Sequence, residues 1–206
     1  MAESTADATV QRLIKQAQVL GLAQNPELPE ELRHCLASAD QQRRGLHNDE
    51  ILQICSFSGV DPGLPRTLQD RAEVLVTEAR RHLLAQQPQL TAPGGALHPE
   101  ERAEACWRDC WHFLRVLIYA IASGRSAFTD PEGMAALRKL YAIKGVPTHG
   151  MTIALEELHH LTRKETQNPD QQQQISACFQ HLMRTLNESA VTVSYTHLTL
   201  PTKRIV

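Results

Sequence analysis

The chain has 206 residues, of which 42% are hydrophobic and 21% are charged, and this composition is typical of one globular domain with appendages. Its formal net charge is -2, and acidic and basic residues are interspersed, which excludes the basic stripe of a nucleic-acid-binding protein. The most apolar stretch, 116–122, is far too short to cross a bilayer, and the amino terminus has no basic segment before an apolar run. We therefore expect a cytoplasmic or equivalent compartment, with no nucleic acid partner and no direct membrane insertion.

The cysteines point to the same kind of compartment. There are five of them, an odd number without a repeating spacing, which favours free thiols over a disulfide framework. Cys106, Cys110 and His112 could supply metal ligands, but His112 lies off the helix face that the two thiols share. We therefore predict no metal site.

The hydrophobic pattern is helical almost throughout and lacks the signature of a parallel sheet. Residues 6–22 are predicted to form an amphipathic helix that ends before Asn25 and Pro26. A second helix is predicted from about 29 to 54, with an interruption at Gly45. The segment 56–65 is rich in turn-forming residues and is predicted to be a surface loop.

Five further helices follow, and prolines and glycines set their limits. We predict them at 67–87, 99–122, 130–145, 149–165 and 170–187. The chain is therefore expected to be an all-α protein. Residues 191–206 shift abruptly to threonine and β-branched residues and resemble the translated sequencing-adapter tails that recur at the ends of assembled reading frames. We interpret 191–206 as a non-native tail; the alternative is a genuine C-terminal strand or tail.

The helix predicted at 99–122 carries a candidate site. Cys106 and Asp109 share one face, and Arg108 projects to its flank. A thiolate can form a thioether with an activated vinyl or ethylidene carbon. Asp109 can accept two converging N–H bonds from pyrrole-like rings, while Arg108 and Arg102 can hold carboxylate side arms. Together these residues would tether and clamp a linear tetrapyrrole. Taken alone, the same residues also fit a buried small side chain beside a solvated ion pair.

Residues 66–147 as a whole resemble the phycobiliproteins, most closely the allophycocyanin and phycocyanin group. The likeness is carried by 71–79, 93–95, 105–109, 113–115, Tyr119, 123–124, Gly133, Leu137, Tyr141 and 145–147. It extends more weakly to 42–44 upstream and to 175–182 downstream. The order and spacing of these segments carry the assignment, because no single motif is decisive.

The resemblance implies a globin-like helical bundle over 29–190, with 1–28 as an N-terminal helical extension. It also implies two N-terminal helices that pack on a partner subunit, pairing as α and β subunits, assembly into trimeric discs, and association with linker proteins. The activity implied is light absorption and energy transfer in a phycobilisome at the cytoplasmic or stromal face of the thylakoid membrane. An enzyme is disfavoured, because no set of nucleophile, base and orienting group can be assembled from the sequence.

Site residues follow from the resemblance position by position. The cysteine matching Cys106 carries the bilin, phycocyanobilin or a related linear tetrapyrrole, and a separate bilin lyase can be needed to attach it. The aspartate matching Asp109 binds the inner pyrrole nitrogens, and the arginine matching Arg108 binds a propionate. Tyr141 falls where the family places an aromatic residue near the pigment.

Several positions depart from the family pattern. Ala96 replaces an asparagine of β-type subunits, which disfavours a β-type identity, and His112 and Phe113 replace two tyrosines. We therefore expect a divergent member. Two alternatives stay open: a pigment-free, phycobiliprotein-like protein that docks on the phycobilisome and regulates it, and a haem-binding globin sensor, which would show a Soret band.

Overall fold

The computed structural model describes residues 2–146 and 148–188. Within those residues the fold consists of α1 (Ala2–Gln16), α2 (Glu30–Gln41), α3 (Asn48–Ser58), α4 (Gly63–Asp70), α5 (Ala72–Gln86), α6 (Glu100–Ala122), α7 (Pro131–Lys144), α8 (Thr148–Arg163) and α9 (Pro169–Asn187). Two short 3-10 helices lie at Leu22–Gln24 and Pro88–Leu90. The predicted all-α fold is confirmed, whereas the tail predicted at 191–206 lies outside the described residues.

Helix α6 forms the centre of the bundle. Every residue from Phe113 to Ala122 is buried, as expected for a helix that is packed on all sides. Helix α6 contacts α3, α4, α5, α8 and α9, and α8 also packs on α5 and α9. This arrangement agrees with the predicted globin-like bundle, and it holds the side chains near the start of α6 in fixed positions.

Helices α7 and α9 begin at the capping residues that the sequence predicts. Asp130 accepts a hydrogen bond from the Gly133 N–H at 2.5 Å at the start of α7. Asn168 accepts hydrogen bonds from the N–H groups of residues 170 and 171 at the start of α9. Each cap is followed by a proline at the first helical position, where the missing N–H group is not needed. Both predicted helix starts are therefore confirmed.

The helix predicted at 6–22 is wrong in its second half. Helix α1 ends at Gln16, because the backbone that follows pairs with the loop between α6 and α7. Gly21 donates its N–H to Phe128 O at 2.7 Å, and the Asp130 N–H donates to Val19 O at 2.9 Å. Leu20 forms an antiparallel bridge with Thr129 between these two hydrogen bonds. These contacts fix an extended backbone where local periodicity indicates helix.

The stretch from 29 to 87 contains more and shorter helices than predicted. The predicted interruption near Gly45 is confirmed as the turn between α2 and α3. The loop predicted at 56–65 is wrong, because α3 continues to Ser58 and ends at Gly59, which has φ 75°. Helix α4 starts soon after, where the Asp61 carboxylate accepts the Gly63 N–H at 3.0 Å. The helix predicted at 67–87 is divided at Arg71 into the end of α4 and α5.

The N-terminal segment packs on the chain's own bundle. Helix α1 lies against α7, and the packing of N-terminal helices on a partner subunit stays a prediction. Two glycines permit the close approach. A Cβ atom at Gly133 would collide with the carbonyl oxygen of Gln18, and one at Gly21 would lie 2.7 Å from the carbonyl carbon of Thr129. Larger side chains at 21 and 133 would therefore push the segment off α7.

Candidate functional site

A cavity of about 720 Å³ lies between α6, α7 and the N-terminal segment. Its volume is in the range of small-molecule binding sites. One side, the α6–α7 wall, consists of Arg108, Asp109, His112, Phe113, Arg115, Val116, Leu137, Leu140 and Tyr141. The opposite side, the N-terminal wall, consists of Ile14, Lys15, Ala17, Gln18, Val19, Asp40, Gln41 and Arg43. The cavity therefore depends on contacts between segments that are distant in sequence.

Asp109 and Tyr141 are hydrogen-bonded to each other on the α6–α7 wall. The Tyr141 hydroxyl donates to Asp109 Oδ2 at 2.8 Å. Burial raises the pKa of Asp109, and the Tyr141 hydrogen bond and the Arg108 charge partly oppose this. The pKa of Tyr141 is raised well above its ordinary value, first by burial and then by the Asp109 charge. The phenol therefore stays protonated, and Asp109 presents a half-buried acceptor to the cavity.

Three guanidinium groups surround His112. Burial lowers the pKa of His112, and the charges of Arg115, Arg43 and Arg108 lower it further, so the imidazole is neutral at pH 7. Arg115 is committed to structural contacts: it pairs with Asp40 at 2.6 Å and donates to the Tyr119 hydroxyl at 2.8 Å. The guanidiniums of Arg43 and Arg108, by contrast, form no hydrogen bond or ion pair with another residue of the described chain.

Cys106 lies beside the cavity and does not line it. Its side chain is only 5% exposed, and its thiol is close enough to Tyr141 to contribute to the raised pKa of that phenol. Cys110, one turn later, has its Sγ 3.7 Å from the Sδ of Met151. A hydrogen bond with Cys106 and burial raise the pKa of Cys110 well above its ordinary value. Since a thiolate is the nucleophilic form, Cys110 is a poor nucleophile.

The structure brings three of the five predicted site residues to the cavity: Arg108, Asp109 and Tyr141. Cys106 is one helical turn before Asp109 and is covered. Arg102 does not line the cavity; its guanidinium lies near Gly145, at the end of α7.

The N-terminal wall was missed by the reasoning from sequence. Arg43 belongs to the segment 42–44, which resembles the family only weakly. Lys15 and Gln18 belong to an N-terminal segment without any recognised motif. A signal for Arg43 was present in its neighbouring arginine, Arg44, but a pair of basic residues by itself is more typical of a solvated surface. The docking of α1 on α7 brings Lys15 and Gln18 to the site, and the pairing of Arg115 on α6 with Asp40 on α2 brings Arg43 there.

No helix among the described residues has the length and apolar character needed to cross a bilayer. No group of three or more histidine, cysteine, aspartate or glutamate side chains in the same residues is arranged to hold a metal ion.

The fold and cavity define an all-α, globin-like protein with a polar ligand site between two helices and its own N-terminal segment. Comparison with known proteins narrows this class. The family model described as "Phycobilisome protein" matches residues 34–186, well over half of the chain. The chain therefore belongs to the phycobilisome protein family, and the predicted family is confirmed.

Similar proteins include phycocyanin β chains of red algae. The chain is 37% identical over 91 residues to the C-phycocyanin beta chain of Aglaothamnion neglectum, covering 44% of this chain and 53% of that one. It is 32% identical over 126 residues to the R-phycocyanin beta chain of Polysiphonia urceolata and to the C-phycocyanin beta chain of Galdieria sulphuraria. Each of these two matches covers 60% of this chain and 73% of the relative. These matches do not support the expectation, drawn from Ala96, that a β-type identity is disfavoured.

Proposed function

We propose that this protein is a light-harvesting subunit that carries a covalently bound linear tetrapyrrole at Cys106 and passes excitation energy to other pigments. One observation carries the proposal: a half-buried carboxylate, Asp109, faces a cavity of about 720 Å³ one helical turn after a cysteine, in a chain of the phycobilisome family. The bound pigment would supply the absorption of light, which no amino acid side chain provides in the visible range.

The residues present fit such a ligand. Asp109 is the carboxylate on the α6–α7 wall, and it is placed to accept hydrogen bonds from pyrrole nitrogens. Arg108 has no protein partner among the described residues and is available for a propionate. Tyr141 lines the cavity and offers an aromatic ring for packing against the pigment. We retain Arg102 as a proposed contact near the end of α7, outside the cavity itself.

Cys106 is the thiol that we assign to the thioether. Among the described cysteines on α6 the alternative is Cys110, which is disfavoured by its raised pKa and by its contact with Met151. The 5% exposure of Cys106 implies that the residues covering it must move before the thiol can be reached. This requirement supports attachment by a bilin lyase over spontaneous attachment.

The assembly implied by the family completes the proposal. Phycocyanin β chains share sequence with this protein, so we propose a complementary α-type subunit as partner, in heterodimers and trimeric discs with linker proteins. The proposed location is the phycobilisome, peripheral to the thylakoid membrane on its cytoplasmic or stromal face. The proposed role involves no catalysis.

Covalent attachment is tested by co-expression with bilin synthesis and candidate lyases, followed by zinc-enhanced fluorescence on a denaturing gel. We expect a fluorescent band from the wild-type chain and none from Cys106→Ala. Cys35→Ala is the matched control, because Cys35 is a half-buried free thiol outside the cavity, and it should keep the band. A band of equal intensity in Cys106→Ala would contradict the assignment of the attachment site.

The burial of Cys106 also supports a second candidate function, a pigment-free family member that docks on the phycobilisome and regulates it. In that case no lyase would give a fluorescent band. The colourless protein would nevertheless retain purified phycobilisome subunits on an affinity column. A protein that neither becomes fluorescent nor retains those subunits would contradict both candidates.

A further inference from the structure

The cavity contains two cationic groups that the fold does not use. Arg43, on the N-terminal wall, and Arg108, on the α6–α7 wall, both act on the pKa of His112 and therefore lie near it. Neither guanidinium has a hydrogen-bond or ion-pair partner in the described part of the chain. Arg115 differs, because Asp40 neutralises it at 2.6 Å. Both arginines are solvent-exposed, and both line the same cavity, so two guanidiniums without a hydrogen-bonded protein partner are available to a ligand there.

The backbone conformation at Arg43 disfavours arginine. The turn therefore does not explain why an arginine stands at this position, whereas a role for its side chain does. Arg43 has φ 52°, in the left-handed region that favours glycine. It follows the C-cap of α2, and the Arg44 N–H donates to Ala39 O at 3.1 Å, the hydrogen bond of a helix end that usually contains glycine. A bulky residue at this position costs about 1 kcal/mol or more. An arginine is therefore strained here, and its side chain lines the cavity.

We propose that Arg43 and Arg108 form a two-armed clamp for a ligand that bears two carboxylates, one guanidinium binding each. The inference rests on the proposed function and extends it: the second propionate of the linear tetrapyrrole is bound by the chain's own N-terminal wall. Guanidinium groups bind carboxylates through two parallel hydrogen bonds. Asp109 lines the same cavity and remains available for ring nitrogens. The chain therefore binds both propionates of its pigment without a residue from a partner subunit.

The test is an equilibrium titration of the full chain with biliverdin and with biliverdin dimethyl ester, without lyase. Quenching of tryptophan fluorescence gives the Kd, since Trp111 contacts His112 with ring centroids 5.1 Å apart. The variants are Arg43→Gly, Arg43→Lys and Arg12→Ala. Arg12 is an exposed residue of α1 that does not line the cavity, so it is the matched control for loss of one positive charge.

We expect Arg43→Gly to raise the Kd for biliverdin about tenfold and to leave the Kd for the dimethyl ester unchanged. Its Tm should equal or exceed that of the wild type, because glycine relieves the left-handed backbone. The Kd of Arg43→Lys for biliverdin should lie between the values of the wild type and Arg43→Gly. Arg12→Ala should bind biliverdin like the wild type. This combination separates a binding role from a structural one.

The outcomes that overturn the clamp are distinct from those that overturn the proposed function. An unchanged biliverdin Kd in Arg43→Gly overturns the clamp alone, and so does an equal loss of affinity for the acid and the ester. Failure of the wild-type chain to bind either compound overturns both the clamp and the bilin-binding function.

Discussion

The two walls of the cavity are built in different ways. The α6–α7 wall takes most of its residues from one run of α6, residues 108–116, so helical periodicity alone brings them to one face. The N-terminal wall combines the end of α1 with the end of α2, and its position depends on tertiary contacts with α7 and α6. The first wall supplies the acceptor, Asp109, and the second supplies an additional cation, Arg43. A family motif therefore identifies only one half of this site.

The contacts that hold the second wall in place are polar and buried. Arg115 is 7% exposed and joins α6 to α2 through Asp40. The Tyr119 hydroxyl adds a hydrogen bond to the carbonyl oxygen of Arg44. The N-terminal wall is thus attached to the centre of the bundle by two side chains of α6, Arg115 and Tyr119. Breaking this attachment should therefore disturb the N-terminal wall much more than the α6–α7 wall.

The largest effect is expected from Arg115→Gln. This change leaves Asp40 without its cation in a partly buried position, and removing one partner of a buried pair costs about 3 kcal/mol of unfolding free energy or more. Urea denaturation measures the loss. Arg125→Ala is the matched control, because the ion pair of Arg125 with Glu27 is exposed at 37% and 64% and should contribute less than about 1 kcal/mol. Equal losses in the two variants would contradict the buried attachment.

A smaller effect is expected from Gly133→Ala, which tests the docking of α1. The added methyl group collides with the Gln18 carbonyl oxygen, and such overpacking costs on the order of 2 kcal/mol. Hydrogen exchange should become faster at 17–21 and stay unchanged in α8 and α9. Lys139→Ala, on the exposed side of the same helix, is the control. Unaltered exchange at 17–21 in Gly133→Ala would show that the close contact does not hold the wall.

The smallest effect is expected from Asp109→Asn, and it has the opposite sign. Burial raises the pKa of Asp109 above that of the unfolded chain, so the ionised carboxylate costs folding free energy at neutral pH. The variant keeps an oxygen for the Tyr141 hydroxyl and should be more stable at pH 7 by an amount within about 1 kcal/mol. The difference should shrink as the pH falls through the raised pKa and vanish below about pH 4, the ordinary pKa of aspartate. Thermal unfolding across this range measures it; a less stable variant at pH 7 would contradict the burial cost.

Much of the fold follows from local sequence. The caps at Asp130 and Asn168 mark helix starts, and the spacing of Arg108 and Asp109 on α6 indicates a polar site. The end of α1 could not be predicted, because Leu20 pairs with Thr129, more than a hundred residues away. The position of Arg43 depends on another tertiary contact, the pairing of Arg115 with Asp40. The covered position of Cys106 also escapes local reasoning, since it depends on how distant segments pack around α6.

The central claim, a pigment on Cys106, is tested most directly by peptide mass spectrometry of the chain purified after co-expression with bilin synthesis and candidate lyases. Trypsin cuts after Arg102, Arg108 and Arg115, so Cys106 falls in peptide 103–108 and Cys110 in peptide 109–115. We expect a bilin adduct on peptide 103–108 and none on 109–115. An adduct on 109–115, or an unmodified peptide 103–108 from protein that has been exposed to bilin and every lyase, would contradict it.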